Sequence, residues 1–228
     1  MGLLLSQPVR AQKDSLCLQK ADSLFESGQL LQAYPHYRQV LRQTSIRQLV
    51  RMAYIQEQLG HYPAALYYLA VAQRRWPTAA TWNKMTELAQ ANRLEGYASS
   101  WQSSIRLSLE RYYMPLLEVL LTVAVAVGTV LLARLLKRRP VETGWWVAFG
   151  VYVALLAGFV NVFQPEQTGL VCRAQAVIMS GPGAGASWLT VAAAGDRLVV
   201  QGRQDIWYKV LWHGQTAYIR QGNLLLVE

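Results

Sequence analysis

Leu116–Leu136 reads LLEVLLTVAVAVGTVLLARLL, and Gly144–Phe163 reads GWWVAFGVYVALLAGFVNVF. Each run is about 20 residues long, the length a helix needs to cross roughly 30 Å of hydrocarbon. The first run carries only Glu118 and Arg134, each close enough to an end for its side chain to reach the interface. The second carries no charge and opens on Trp145 and Trp146, at the depth where indole rings prefer to sit. Residues 137–143 between the runs are enough for a turn and too few for a domain. The expectation is a transmembrane hairpin, helices 116–136 and 144–163, with one folded segment before it and another after it.

Charge orients the hairpin. Arg134, Lys137, Arg138 and Arg139 crowd the turn, against Arg106 and Arg111 before the first run and Arg173 after the second. The positive-inside rule places the turn in the cytoplasm and both flanking segments outside, which in a bacterial-looking chain is the periplasmic face of the inner membrane. Lys137, Arg138 and Arg139 carry most of that bias. The opening MGLLLSQPVRAQ has a short leucine patch, and Val9 and Ala11 stand where a signal peptidase wants small or aliphatic residues. Residues 1–11 are read as a truncated signal peptide, with a ragged terminus as the alternative. Net charge is +9, and the positive excess over Gln12–Arg111 is spread along helices rather than clustered, so nucleic acid is not expected as a partner. Cys17 and Cys172 fall in different segments, and packing is favoured over a disulfide between them.

Residues 12–113 have a helical pattern punctuated by Gly28, Gly60 and Gly96. One unit has Leu49, Met52, Ala53, Gly60, Tyr62, Ala65, Tyr68, Ala72 and Pro77. An earlier one has Ala21, Leu24, Gly28, Leu30, Ala33, Tyr37 and Val40, with Pro35 expected in a first helical turn. A degenerate third keeps Met85, Leu88, Ala89 and Gly96, and its second helix is expected to run from Gly96 towards the first span. Small residues let paired helices approach closely, glycine ends the first helix of each pair, and proline stops the second. The pattern resembles the tetratricopeptide (TPR) repeat. That resemblance implies a concave surface for peptides or partner helices, lined by Arg47, Tyr54, Glu57, Gln58, Thr86, Gln90 and Arg93.

After a linker at 164–170 the pattern turns to short strands: Val171–Ile178, Trp188–Val191, Arg197–Gln201, Ile206–Trp212, Gln215–Arg220 and Leu224–Val227. Turn residues separate them, and five or six such strands suit a small barrel over 171–228. Ile178-Met179-Ser180-Gly181-Pro182, Gly195 before Leu198-Val199-Val200, Trp207-Tyr208-Lys209-Val210 and Gly214–Ile219 resemble the bacterial SH3-like domain. Met179, Ala217 and Tyr218 depart from its usual residues, which puts inherited ligand specificity in question. Trp188, Trp207, Tyr208, Trp212 and Tyr218 are candidates for an aromatic ligand shelf, although such residues also fill small cores.

No enzyme signature is present. His36, His61 and His213 are isolated, without metal-ligand spacing, and neither a phosphate loop nor a nucleophile elbow occurs. No catalytic residue, metal or cofactor is expected. The fold class expected is therefore multidomain: all-α TPR-like repeats, a two-helix transmembrane hairpin and a small all-β SH3-like barrel. That order resembles the BatE-type proteins encoded with the aerotolerance (Bat) genes of Bacteroidetes. The resemblance implies a non-enzymatic inner-membrane scaffold acting with von Willebrand-domain Bat proteins and a MoxR-like ATPase system. A cell-envelope sensor whose barrel recognises peptidoglycan peptides is the alternative.

Overall fold

The computed structural model describes residues 7–40, 45–97, 101–137, 142–162, 167–183 and 185–227. Two compact units result, Met1–Ala98 together with Gln167–Glu228, and Ser99–Glu166. The first unit joins the helices that precede the apolar runs to the strands that follow them.

Its helices are α1 (Gln7–Glu26), α2 (Leu30–Gln39), α3 (Ile46–Gln58), α4 (Tyr62–Arg75) and α5 (Ala79–Ala91). Local chemistry sets several ends. Ser45 and Gln48 form a capping box at the start of α3, Pro63 sits in the first turn of α4, and the Thr78 hydroxyl accepts the Thr81 N–H before α5. Ala33, Ala53, Ala65, Ala72 and Ala89 are all buried in one core with Tyr37, Leu49, Met52, Leu66 and Met85. Pro35 is not in a first turn as expected. The helix begins directly after the Gly28 turn, so Pro35 falls in its interior.

The same turn closes α1, α3 and α5. Gly28 (φ 77°) and Gly60 (φ 75°) are left-handed, and the next residue donates back five positions, Gln29 to the Leu24 carbonyl at 2.9 Å and His61 to Gln56 at 2.8 Å. After α5 the residue in that place is Arg93 (φ 54°), with Leu94 donating to the Ala89 carbonyl at 2.9 Å. The third turn thus belongs to Arg93, and Gly96, expected there, serves another purpose.

The strands are β1 (Gln167–Val171), β2 (Ala176–Met179), β3 (Trp188–Ala192), β4 (Arg197–Gln204), β5 (Trp207–Trp212), β6 (Gln215–Arg220) and β7 (Leu224–Leu226). They form one antiparallel sheet in the order β3-β2-β6-β5-β4-β1-β7. The β5–β6 turn places His213 (φ 45°) and Gly214 (φ 78°) both left-handed, the geometry whose twist suits a two-residue hairpin. Two sequence expectations change. β1 begins at Gln167, inside the expected linker 164–170, and is held by both β4 and β7. The alternating run Val171–Ile178 breaks into the end of β1 and β2, with Gln175 (φ 59°) turning the chain between them.

The second unit holds α6 (Trp101–Leu136) and α7 (Thr143–Val162). Tyr113–Leu136 and Thr143–Asn161 are long and apolar enough to cross a membrane, and hardly any of either stretch is buried in the protein. The two helices meet where the Tyr113 and Phe159 rings stack at 5.5 Å and where Gly128 leaves room for Phe149. The Tyr152 hydroxyl donates to the Leu120 carbonyl at 2.8 Å, which satisfies a polar group on an otherwise apolar helix. Lys137 ends the described part of this turn. Arg138 and Arg139 lie outside the described residues, as do residues 1–6 of the expected signal segment.

Candidate functional site

On the first helices of the hairpins, α1 and α3 are stitched by charge. Arg51, mostly buried, reaches Asp22 at 2.6 Å and Glu26 at 3.0 Å, and its guanidinium lies 4.7 Å from the Phe25 ring centroid. The Tyr37 hydroxyl donates to Asp22 as well. Burial, reinforced by that carboxylate, pushes the Tyr37 phenol up to about 12. Arg47 extends the network weakly, 3.8 Å from Glu26 and itself exposed. Tyr54 stands edge-on to Phe25 with nearly half its surface open. Arg47, Arg51 and Tyr54 therefore share one face of α3, at intervals of about one turn.

The other surface candidates on the helices are less concentrated. Glu57 is paired to Lys84 at 2.8 Å, joining α3 to α5. The Thr86 hydroxyl is spent on the Asn83 carbonyl of its own helix at 2.8 Å, and Gln58 is exposed. Arg93 is the left-handed turn residue after α5. Gln90 faces a different neighbour altogether, the barrel.

That neighbour is reached through residues 94–97. The Glu95 N–H donates to Asp196 Oδ1 at 2.8 Å, the Arg197 N–H donates to the Glu95 carbonyl at 3.1 Å, and the Tyr97 hydroxyl donates to the Gly195 carbonyl at 2.7 Å. Asp196 is buried, and its second carboxylate oxygen accepts the Ala193 N–H at 2.7 Å. Burial holds the carboxyl above its ordinary value, opposed by the two backbone donors. Glycines make the approach possible. A Cβ on Gly96 would stand 2.0 Å from the Arg197 carbonyl oxygen, and one on Gly195 would stand 2.8 Å from Leu94. Around this contact Leu170 of β1 and Val227 join the helical core, and Arg197 lies over Trp82.

Beside the junction opens a cleft of about 480 Å³, lined by Gln90, Leu94, Glu95, Leu211, Trp212 and His213 among others. His213 Nε2 and Glu95 Oε2 are 3.0 Å apart across it, and the Trp212 ring stands edge-on to the imidazole. Gln90 from the helical set and Trp212 from the barrel set are thus brought into one wall. Among the described residues, no group of three or more His, Cys, Asp or Glu side chains is placed to hold a metal.

Strand alternation divides the five shelf aromatics. Tyr208 and Trp212 pack against the inner cluster of Ile178, Leu198, Val210, Ala217 and Ile219, so they belong to the core face. Trp207 and Tyr218 lie on the opposite face, with Lys209 paired to Tyr218 and Arg220 paired to Trp207. A bulge at Ile178/Met179 brings Trp188 of β3 opposite Met179, which is in turn opposite Tyr218. One row of that outer face therefore runs Trp188, Met179, Tyr218, Lys209.

Sequence reasoning missed Asp22, Glu26 and Arg51, although two carboxylates one turn apart in α1 are a readable signal. It also missed Glu95, Asp196 and His213. Glu95 lies 101 residues from Asp196 and 118 from His213 in the chain, and only the folded form joins them.

A bacterial SH3 domain family matches residues 177–224. The match covers the sheet from β2 to the start of β7 and leaves out β1, the strand that carries Leu170 into the helical core. No curated protein matches this sequence. A bacterial SH3 domain is consistent with binding protein or peptidoglycan.

Proposed function

We propose that this chain is a non-enzymatic scaffold of the bacterial inner membrane whose helical repeats and barrel act as one periplasmic head. The observation that carries this reading is the junction of Glu95–Tyr97 with Gly195–Arg197, which joins the segments before and after two apolar helices. An even number of crossings returns the chain to the same side, as that junction requires. The basic cluster around Lys137 supports the periplasm as that side. The three recurrent turns at Gly28, Gly60 and Arg93 support a TPR identity for the hairpins, because both sequence spacing and hydrogen bonding repeat.

In this role the face with Arg47, Arg51 and Tyr54 takes up a protein partner. Arginine and aromatic anchors carry most interface energy, and here they are already held in place by Glu26 and Phe25. The domain order resembles BatE-type proteins, so the partners proposed are von Willebrand-domain Bat proteins and, across the membrane, a MoxR-like ATPase system. Two experiments test the reading. Reporters active only in the periplasm should work when fused before Gln12 or after Glu228 and fail at Pro140; activity at Pro140 contradicts the orientation. Crosslinking in native membranes should capture a periplasmic partner with the wild type and lose it with an R47A/Y54A variant that remains folded and inserted. Retention of every partner removes this face from the account.

A wall-binding reading is favoured by the bacterial SH3 match alone. It predicts that the full-length protein in detergent co-sediments with purified peptidoglycan, and failure to do so leaves the scaffold.

A further inference from the structure

The two ends of the barrel sheet differ. β1, next to the β7 end, sends Leu170 into the helical core, and Val227 joins it there just beyond β7, whereas β3 ends the sheet with Trp188, Leu189 and Val191 exposed by 72%, 44% and 48%. Nothing on β3 blunts that edge: Trp188–Ala192 reads WLTVA, without proline or charge. From β3 the outer face continues through Met179 to Tyr218 and Lys209, with Trp207 and Arg220 one step along. Met179 is buried yet stands outside the inner cluster. The combination is tryptophan and tyrosine with lysine and arginine, the residues that settle at a membrane–water interface.

Charge points the same way. The described barrel holds two acidic residues: Asp196 is buried in the junction, and Asp205 is in the β4–β5 turn. Strands β5 and β6 offer this face Lys209 and Arg220 and carry no carboxylate to repel an anionic surface. The tether is short. Four residues separate Val162 at the end of α7 from Gln167 at the start of β1, and a chain of that length spans at most about 18 Å. A barrel held so near a bilayer meets its headgroups at high effective concentration.

We propose that the outer face at the β3 edge rests on the bilayer that holds the chain, with Trp188 and Leu189 in the headgroup region and Lys209 and Arg220 against anionic lipid. The surface potential adds attraction for each basic residue within a Debye length of it. The head is then fixed in orientation, with the remainder of its surface left for protein partners.

The test uses the full-length chain with Cys17→Ser and Cys172→Ser, spin-labelled at Trp188→Cys, reconstituted in phosphatidylglycerol-rich or pure phosphatidylcholine vesicles. A label at Gln58→Cys, exposed on the helical part, is the reference. The proposal expects dissolved oxygen to relax the label at 188 severalfold more, relative to a water-soluble nickel complex, than the label at 58. That difference should shrink in phosphatidylcholine, at high salt, and with K209E/R220E. The salt arm needs no substitution, so it stands even if the charge variant folds poorly. The proposal is overturned if position 188 is as water-exposed as position 58 in the anionic vesicles, or if neither salt nor the charge variant alters its shielding. Shielding by soluble peptidoglycan peptides with none from anionic lipid overturns it too, in favour of a wall ligand.

Discussion

The turn after α3 and the turn after α5 begin alike and end differently. Both place a left-handed residue two positions beyond the helix and return the following N–H to a carbonyl five positions back. At Gly60 the chain goes straight into α4, and a Cβ there would meet nothing within 4 Å. At Arg93 the chain instead runs on through Glu95 and Gly96 into the loop at 193–197 of the barrel. The turn of the third unit has become a socket for the barrel, and the next helix, α6, begins only at Trp101. The third unit's partner is a β-sheet, and the glycine that mattered moved from the turn to the contact.

Substitution separates the two turns. Gly96→Ala should do the most damage, because it adds left-handed strain to an overlap with the Arg197 carbonyl that no side-chain motion relieves. A loss of roughly 3 kcal/mol or more in the melting of the full-length protein is expected. Gly60→Ala incurs the strain without the overlap and should lose about 1–2 kcal/mol. Equal losses at the two sites would remove the docking contact from the account.

Asp196→Asn should cost about 1–3 kcal/mol, since one of two accepting oxygens becomes an NH₂ facing an N–H donor. It should also change the acid response. The folded carboxyl is held above its ordinary 3.8, so the folded form takes up a proton more readily than the unfolded one. The stability this group adds is present in acid and lost as pH rises through the raised value. Wild type should therefore gain on D196N as pH falls from neutral towards 3.8, and parallel pH profiles would contradict that. The smallest effect expected is a gain: Arg93→Gly relieves a left-handed arginine and should stabilise by about 1 kcal/mol. No change there would mean the arginine side chain compensates its own strain.

Much of the fold was legible because it rests on local pattern. Two apolar runs, alanines at helix-crossing intervals and short strands between glycines are visible in any window that contains them. The strand Gln215–Arg220 was read with the bounds it has. What escaped was decided by residues far apart. Gly96 looked like the third turn glycine because a left-handed arginine leaves no sequence mark, and its true demand comes from a carbonyl at position 197. β1 looked like linker because Gln167-Thr168-Gly169 has weak strand character alone; pairing with β4 and β7 supplies it. The aromatic shelf was read as one surface, yet odd and even positions of β5 face opposite sides. Trp207 and Tyr208 are neighbours in sequence and strangers in space.

The central claim is that residues 94–97 and 193–197 form one head. Hydrogen exchange at the Glu95 amide of the full-length protein in nanodiscs tests it most directly, because that N–H sits outside any helix or strand and its acceptor is Asp196. The account predicts protection well above that of an open turn, lost in Gly96→Ala while the amides of α3 and α4 keep theirs. Exchange at open-turn rates in the wild type would contradict it.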